Sequence, residues 1–136
     1  MTVVVDASVV LLWFVEQPGH AAAADWLRRF ADSPEVLVAP DLLRFEVFGG
    51  LCRLQSPHDA SWATRCFDRF ERLGLRMLPT SLPLFHEAAR LSRDIRLGGY
   101  DALYLAHAES LGVPWLTADQ RALRRLRGDR RALALE

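Results

Sequence analysis

Lysine and asparagine are missing altogether from this 136-residue chain, and cysteine is nearly so. All 17 basic residues are therefore arginine, and every enzyme class that needs a catalytic lysine is excluded. Cys52 and Cys66 are too few and too far apart for a zinc pattern, and they read as small apolar residues. The four histidines show no H-x-x-x-H or H-E-x-x-H spacing, and His107 reads as a polar helix position rather than a ligand. Long hydrophobic runs are lacking as well. The longest, Val9 to Val15, falls well short of the ~20 residues that span a membrane. The opening "MTVVVDAS" has no basic n-region and meets an acid at residue 6, so no secretory signal is expected. The expectation is a cytoplasmic protein with no membrane partner.

What is present is a hydrophobic content of 51% and no repeat, low-complexity tract or linker, which predicts one domain over residues 1–136. Net charge is zero but unevenly spread: residues 1–60 sum to −4 and residues 61–136 to +4. Six arginines between 121 and 131 crowd the C-terminal segment. They read as a solvated helix face, with phosphate contact a secondary role.

Short β-branched or apolar runs at 2–6, 35–40, 75–78 and 113–117 predict strands, and 130–135 an added edge strand. Between them, helices are expected from a Ser8 N-cap through "VVLLWFVE", then over about 20–31, 41–54, 58–74, 82–97, 100–111 and 118–126. Trp13 and Phe14 are assigned to the core, with a partly exposed Trp13 in a partner-binding groove as the alternative. Strands of four or five residues alternating with longer helices predict an α/β domain with a parallel sheet and helices on both faces. Ligands of such sheets gather beyond the carboxyl ends of the strands.

Four acids stand out against that frame. Asp6 ends the first strand, where it could equally form an Asx turn or cap. Glu46, in "DLLRFEVFGG", shares a helix face with Leu42, Leu43, Gly49 and Gly50. Each mid-helix glycine costs about 1 kcal/mol relative to alanine, which makes sense where something approaches the backbone closely. A surface Glu46 paired with an arginine is the plain alternative. Asp101 opens "YDALYLAHAE" above an apolar stripe formed by Tyr104, Leu105 and Ala108, although a first-turn acid also complements the helix dipole. Asp119 follows the fourth strand, where Thr117 and Gln120 have capping-box spacing and would make it an ordinary first-turn acid.

A doubly wound sheet can bring all four to one rim. Two carboxylates ~5 Å apart repel by about 3 kcal/mol at an effective dielectric near 20. Either some are protonated or a hard cation sits among them, and oxygen-only ligands favour Mg²⁺ or Mn²⁺. Such ions activate water and stabilise the leaving oxygen of a phosphodiester.

"VVVDASVV", "LLRFEV", "YDALYLAHAE" and "LTADQRAL" resemble, in order and spacing, the motifs of PIN-domain ribonucleases, and most of all the VapC-type toxins of toxin–antitoxin pairs. Each motif is weak alone; four in order over nearly the whole chain are specific. The resemblance implies an α/β/α sandwich around a central, mainly parallel sheet of four or five strands. It also implies Mg²⁺- or Mn²⁺-dependent cleavage of RNA. Carried over residue by residue, it implies Asp6, Glu46, Asp101 and Asp119 as catalytic and metal-binding acids, with Ser8 and Thr117 in support. A homodimer held inactive by a VapB-like antitoxin, whose tail lies near the active site, is implied too. The chain departs from the family at Gly49-Gly50, where a polar or small residue is common; helix stability rather than activity is expected to change. Receiver domains and aspartate-nucleophile phosphatases also place carboxylates at a strand rim, but they use a lysine that this chain lacks. A non-catalytic acid cluster, or a PIN nuclease acting in RNA processing or on DNA, remains open.

Overall fold

The computed structural model describes residues 1–135; Glu136, the last residue of the expected domain, lies outside them. The elements are β1 (Val3–Val5), α1 (Ala7–Leu11), α2 (His20–Asp32), β2 (Leu37–Pro40), α3 (Leu42–Leu54), α4 (Trp62–Arg72), β3 (Arg76–Leu78), α5 (Leu82–Ile95), α6 (Gly99–Leu111), β4 (Trp115–Thr117), α7 (Gln120–Arg125) and β5 (Ala132–Ala134). A single 3-10 turn, Pro34–Val36, leads into β2.

All five strands are parallel, in the order β3-β2-β1-β4-β5. β1 is the centre: Val4 stands between Val38 of β2 and Trp115 of β4, and Val3, Val4 and Val5 are fully buried. That accounts for an unbroken valine run instead of an alternating one. The chain winds outward from β1 through β2 to β3, then crosses back to β4 on the other side. The direction of winding therefore reverses between β1 and β4, and the crevice at their carboxyl ends is where such sheets bind ligands.

α6 is the helix that most constrains this crevice. Every residue from Ala102 to Ala108 is buried, because the helix packs on β1, β2 and β4 and is covered outside by α5. Apart from His107 this buried stretch is apolar or aromatic all round, as suits a helix enclosed on both sides. Its last turn ends on Gly112 in the left-handed region (φ 68°), and α4 likewise gives way to Gly74 (φ 66°).

Two expectations change. The first helix is capped by Asp6, not Ser8, and it stops at Leu11. Beyond it the N–H groups of Leu12, Trp13 and Phe14 each bond three residues back, so the apolar run through Val15 tightens into turns. α4 begins at Trp62 rather than residue 58, because Asp59 accepts from the Ser61 N–H and holds that stretch as a turn. His107 holds the polar helix position expected of it, and it is buried. The Thr80 hydroxyl donates to Asp41 (3.0 Å), leaving its oxygen to accept from His107 Nε2 at 2.9 Å. Burial holds that imidazole below its usual pKa. Trp13 is half-buried, with its Nε1 donating to the Ala23 carbonyl at 2.9 Å.

Among the described residues no helix is long and apolar enough to cross a membrane. Cys52 and Cys66 are both free thiols, half-buried and buried respectively.

Candidate active site

A cleft of about 510 Å³ opens at the β1–β4 crevice, and Asp6, Ser8, Glu46, Asp101 and Asp119 all line it. Asp6 enters from the end of β1, where its carboxylate caps α1. Its Oδ1 accepts from the Ser8 N–H (3.0 Å) and the Ser8 hydroxyl, and its Oδ2 accepts from the Trp115 indole Nε1 at 3.1 Å. Ser8 in turn accepts from the Ala118 N–H at 2.9 Å. That one hydroxyl ties the end of β1 to the turn after β4.

Asp119 is itself the N-cap of α7, accepting from the N–H groups of Arg121 (2.9 Å) and Ala122 (3.3 Å). This replaces the expected capping box. Thr117 does not cap Gln120; its Oγ1 accepts from the Asp119 N–H at 3.0 Å. Thr117 is fully buried beneath the cleft and steadies the backbone of Asp119, not its carboxylate. Asp101 sits in the first turn of α6 and Glu46 in the middle of α3.

The glycines beside Glu46 serve different ends. A Cβ on Gly50 would collide with the Leu11 side chain, so Gly50 lets α1 and α3 meet. Gly49 faces the cleft, where a Cβ would meet only Arg53 at 3.8 Å. Close approach therefore explains Gly50 but not Gly49.

Electrostatics tie the acids together. Burial pushes the Asp6 carboxyl up to about 7; the Ser8 and Thr117 hydroxyls pull it back, and Asp101 raises it further. Asp101 is pushed up to about 6, first by burial and then by the charges of Asp119 and Glu46, with Arg121 opposing. The cleft thus holds negative charge that the protein alone compensates poorly. The donor set is all oxygen, which suits a hard divalent cation. As placed, however, no three His, Cys, Asp or Glu side chains among the described residues converge tightly enough to cage a metal ion. The four acids share a wall-to-wall cleft rather than a closed cage.

Two participants escaped the sequence reading. Trp115 looks like a core strand residue, yet a buried indole N–H requires an acceptor, and here it is Asp6. Tyr104 looks like part of the apolar stripe, yet it lines the cleft. Its hydroxyl is the one buried side-chain polar atom without a hydrogen-bond partner among the described residues. Burial, followed by the charge of Glu46, holds this phenol well above its ordinary pKa.

The PIN domain family model matches residues 3–129. The chain belongs to the PIN-domain family. PIN domains are nucleases, generally using divalent metals, so the carboxylate cleft is the place to seek this chain's chemistry. Among the solved structures that share the fold are three chains of similar length. PAE2754 from Pyrobaculum aerophilum has a TM-score of 0.72 at 23% identity, over 99% of this chain and 84% of that one. FitAcB from Neisseria gonorrhoeae has a TM-score of 0.72 at 16% identity, over 99% and 97%. Mycobacterium tuberculosis VapC20, described as a sarcin-ricin loop cleaving toxin, has 0.64 at 18%, over 86% and 88%. At these identities the likeness speaks for the PIN fold alone. No curated protein sequence gives a significant match.

Proposed function

We propose that this chain, as one PIN domain over residues 1–136, is a cytoplasmic Mg²⁺- or Mn²⁺-dependent endoribonuclease and the toxin of a toxin–antitoxin pair. The observation that carries the chemistry is the gathering of Asp6, Glu46, Asp101 and Asp119 around one cleft, with Asp6 and Asp101 driven up by burial and by neighbouring acids. These four would hold the ion. Bound there, it supplies the charge that activates a water and stabilises the leaving oxygen of the phosphodiester.

The chain's own residues do the rest. Ser8 and Trp115 fix both oxygens of Asp6, so that its orientation is set before any ligand arrives. Thr117 and the first turn of α7 fix Asp119. Arg53 lines the cleft and pairs with no acid among the described residues, which suits it to a phosphate oxygen of the RNA.

Support for protein partners comes from the surface. Phe45 and Phe48 of α3 are 70% and 51% exposed, and Leu82 and Phe85 of α5 are exposed too. Apolar side chains of this size on a small domain favour a homodimer and a VapB-like antitoxin as their cover. The resemblance of the four motifs to VapC-type toxins adds to this reading. A PIN nuclease acting in RNA processing or on DNA is the alternative.

The test is cleavage of RNA by purified protein, wild type against Asp101→Asn, with Mn²⁺, Mg²⁺ or EDTA. Metal-dependent cleavage that the variant lowers at least 100-fold is expected. Equal cleavage by both, or cleavage in EDTA, rejects the mechanism; cleavage of DNA alone selects the alternative.

A further inference from the structure

Resting on that reading of the cleft, we infer that Tyr104 is a positioning residue for Glu46, its hydroxyl donating to the Glu46 carboxylate when the cleft binds its cation. Tyr104 lies three residues after Asp101 on α6, hence on the same helix face. The residue is 1% exposed, yet it lines the cleft. Its ring stacks on Trp115, with centroids 6.2 Å apart and planes 10° from parallel, and Trp115 is anchored to Asp6. A phenol oxygen lies on the ring axis, so a held ring means a held hydroxyl. It cannot swing away to find an acceptor.

Leaving that hydroxyl buried and unpaired costs about 1–3 kcal/mol. Phenylalanine would fill the same space and keep the same stacking without the cost. The hydroxyl therefore has its use in a state other than the free protein. With an ordinary pKa near ~10 it is a donor, and what it needs is an acceptor. Three carboxylates face it. Both oxygens of Asp6 already accept bonds from Ser8 and Trp115. Asp101 belongs to the preceding turn of the same helix. Of the three, Glu46 acts on the hydroxyl most strongly, by its charge and as the acceptor nearest to closing a bond with it, although no full hydrogen bond is formed in this structure. Closing that bond would place one Glu46 oxygen on the phenol and leave the other for the cleft centre. Fixing a flexible glutamate in this way removes an ordering cost that the ligand would otherwise meet alone.

The test is Tyr104→Phe, measured three ways against wild type, Glu46→Gln and the double variant. Calorimetric titration of the metal-free protein with Mn²⁺ is expected to show binding weakened about tenfold. RNA cleavage at saturating Mn²⁺ is expected to lose about tenfold in kcat with little change in KM, and the metal-free Tm should not fall. In the Glu46→Gln background, Tyr104→Phe should change Mn²⁺ affinity by less than about twofold, since coupled residues are non-additive. Wild-type Mn²⁺ affinity in Tyr104→Phe overturns the inference. So does an equal loss in both backgrounds, which separates the hydroxyl from Glu46, or a lowered metal-free Tm, which shows the hydroxyl already paired. A wild type that neither binds Mn²⁺ nor cuts RNA takes down the nuclease reading and this inference together.

Discussion

The Asp6 carboxylate is the most constrained group in the cleft, and its constraint comes from a residue of unpromising type. Trp115 fills the core next to Tyr104 and simultaneously gives its indole N–H to Asp6. Replacing it by phenylalanine keeps an aromatic ring in the core but withdraws the only donor to Asp6 Oδ2 among the described residues. Trp115→Phe should therefore lower stability by about 2–3 kcal/mol, combining lost volume with an unpaired buried acceptor. It should also reduce RNA cleavage at least tenfold at a temperature where the variant is fully folded. Denaturant melts and rates at that temperature separate the two effects; full activity in a folded variant would show that Asp6 needs no such anchor. Nothing in the sequence advertises this bond. A tryptophan in "VPWLT" announces burial, while its acceptor lies 109 residues away. Tyr104 was hidden for a related reason: periodicity weighs the ring and is silent about the hydroxyl. His107 shows the same gap, since its polar partner Thr80 belongs to a different segment.

Among the elements, α3 carries two adjacent glycines whose surroundings differ, and opposite outcomes follow. At Gly50 a methyl group collides with the Leu11 side chain, so Gly50→Ala must displace that side chain from the α1–α3 contact and is expected to destabilise by about 1 kcal/mol. At Gly49 nothing stands in the way, and Gly49→Ala should stabilise by up to about 1 kcal/mol through helix propensity. Chemical denaturation of the two variants checks the pair, and a shared sign would mean that the α1–α3 contact is not what places glycine there. The strands and most helix limits were legible because their signals are local: β-branched runs, Gly74 and Gly112 at helix ends, Pro83 in the first turn of α5. α1 was overextended because Val9 to Val15 is apolar at every position. Such a run has no period, and where it turns is decided by what it packs against. Asp6 and Asp119 were legible as rim acids from their places after strands. For Asp6, capping a helix and facing the cleft were read as a choice, whereas it does both; for Asp119 the cap was assigned to Thr117, whereas Asp119 itself caps α7 and lines the cleft.

For the whole molecule, the acid cleft makes stability depend on pH in a direction opposite to ordinary acid denaturation. Asp6 and Asp101 ionise near 3.8 in the unfolded chain but at about 7 and about 6 in the fold. Between those values the folded protein holds protons that the unfolded chain has released. Their contribution is therefore fully present below about pH 4 and is lost as pH rises through 6 to 7. The acids held below their usual range, such as Asp59 and Asp94, are exposed ion-pair partners and act in the opposite sense at lower pH. In EDTA the Tm should be lower at pH 7.5 than at pH 5.5, by roughly 5 °C. Mn²⁺ at pH 7.5 should restore it by binding the folded state alone. A Tm that rises with pH in EDTA would mean that the acids are compensated within the protein. This balance was legible in outline, since four acids on one rim imply a charge in search of a counterion. The openness of the site was not, because side-chain spacing depends on how α3 and α6 lie over the sheet.

The Ser8 hydroxyl joins the end of β1 to the turn beyond β4 and thereby sets a clock on activity. β1 leaves the ribosome first, while β4 and Asp119 are made more than a hundred residues later. Until β4 slides in beside β1, Asp6 lacks its indole partner and Asp119 has no α7 to cap, so the growing chain is an incomplete nuclease. A partly made chain therefore carries Asp6 and Glu46 without the assembled cleft they line.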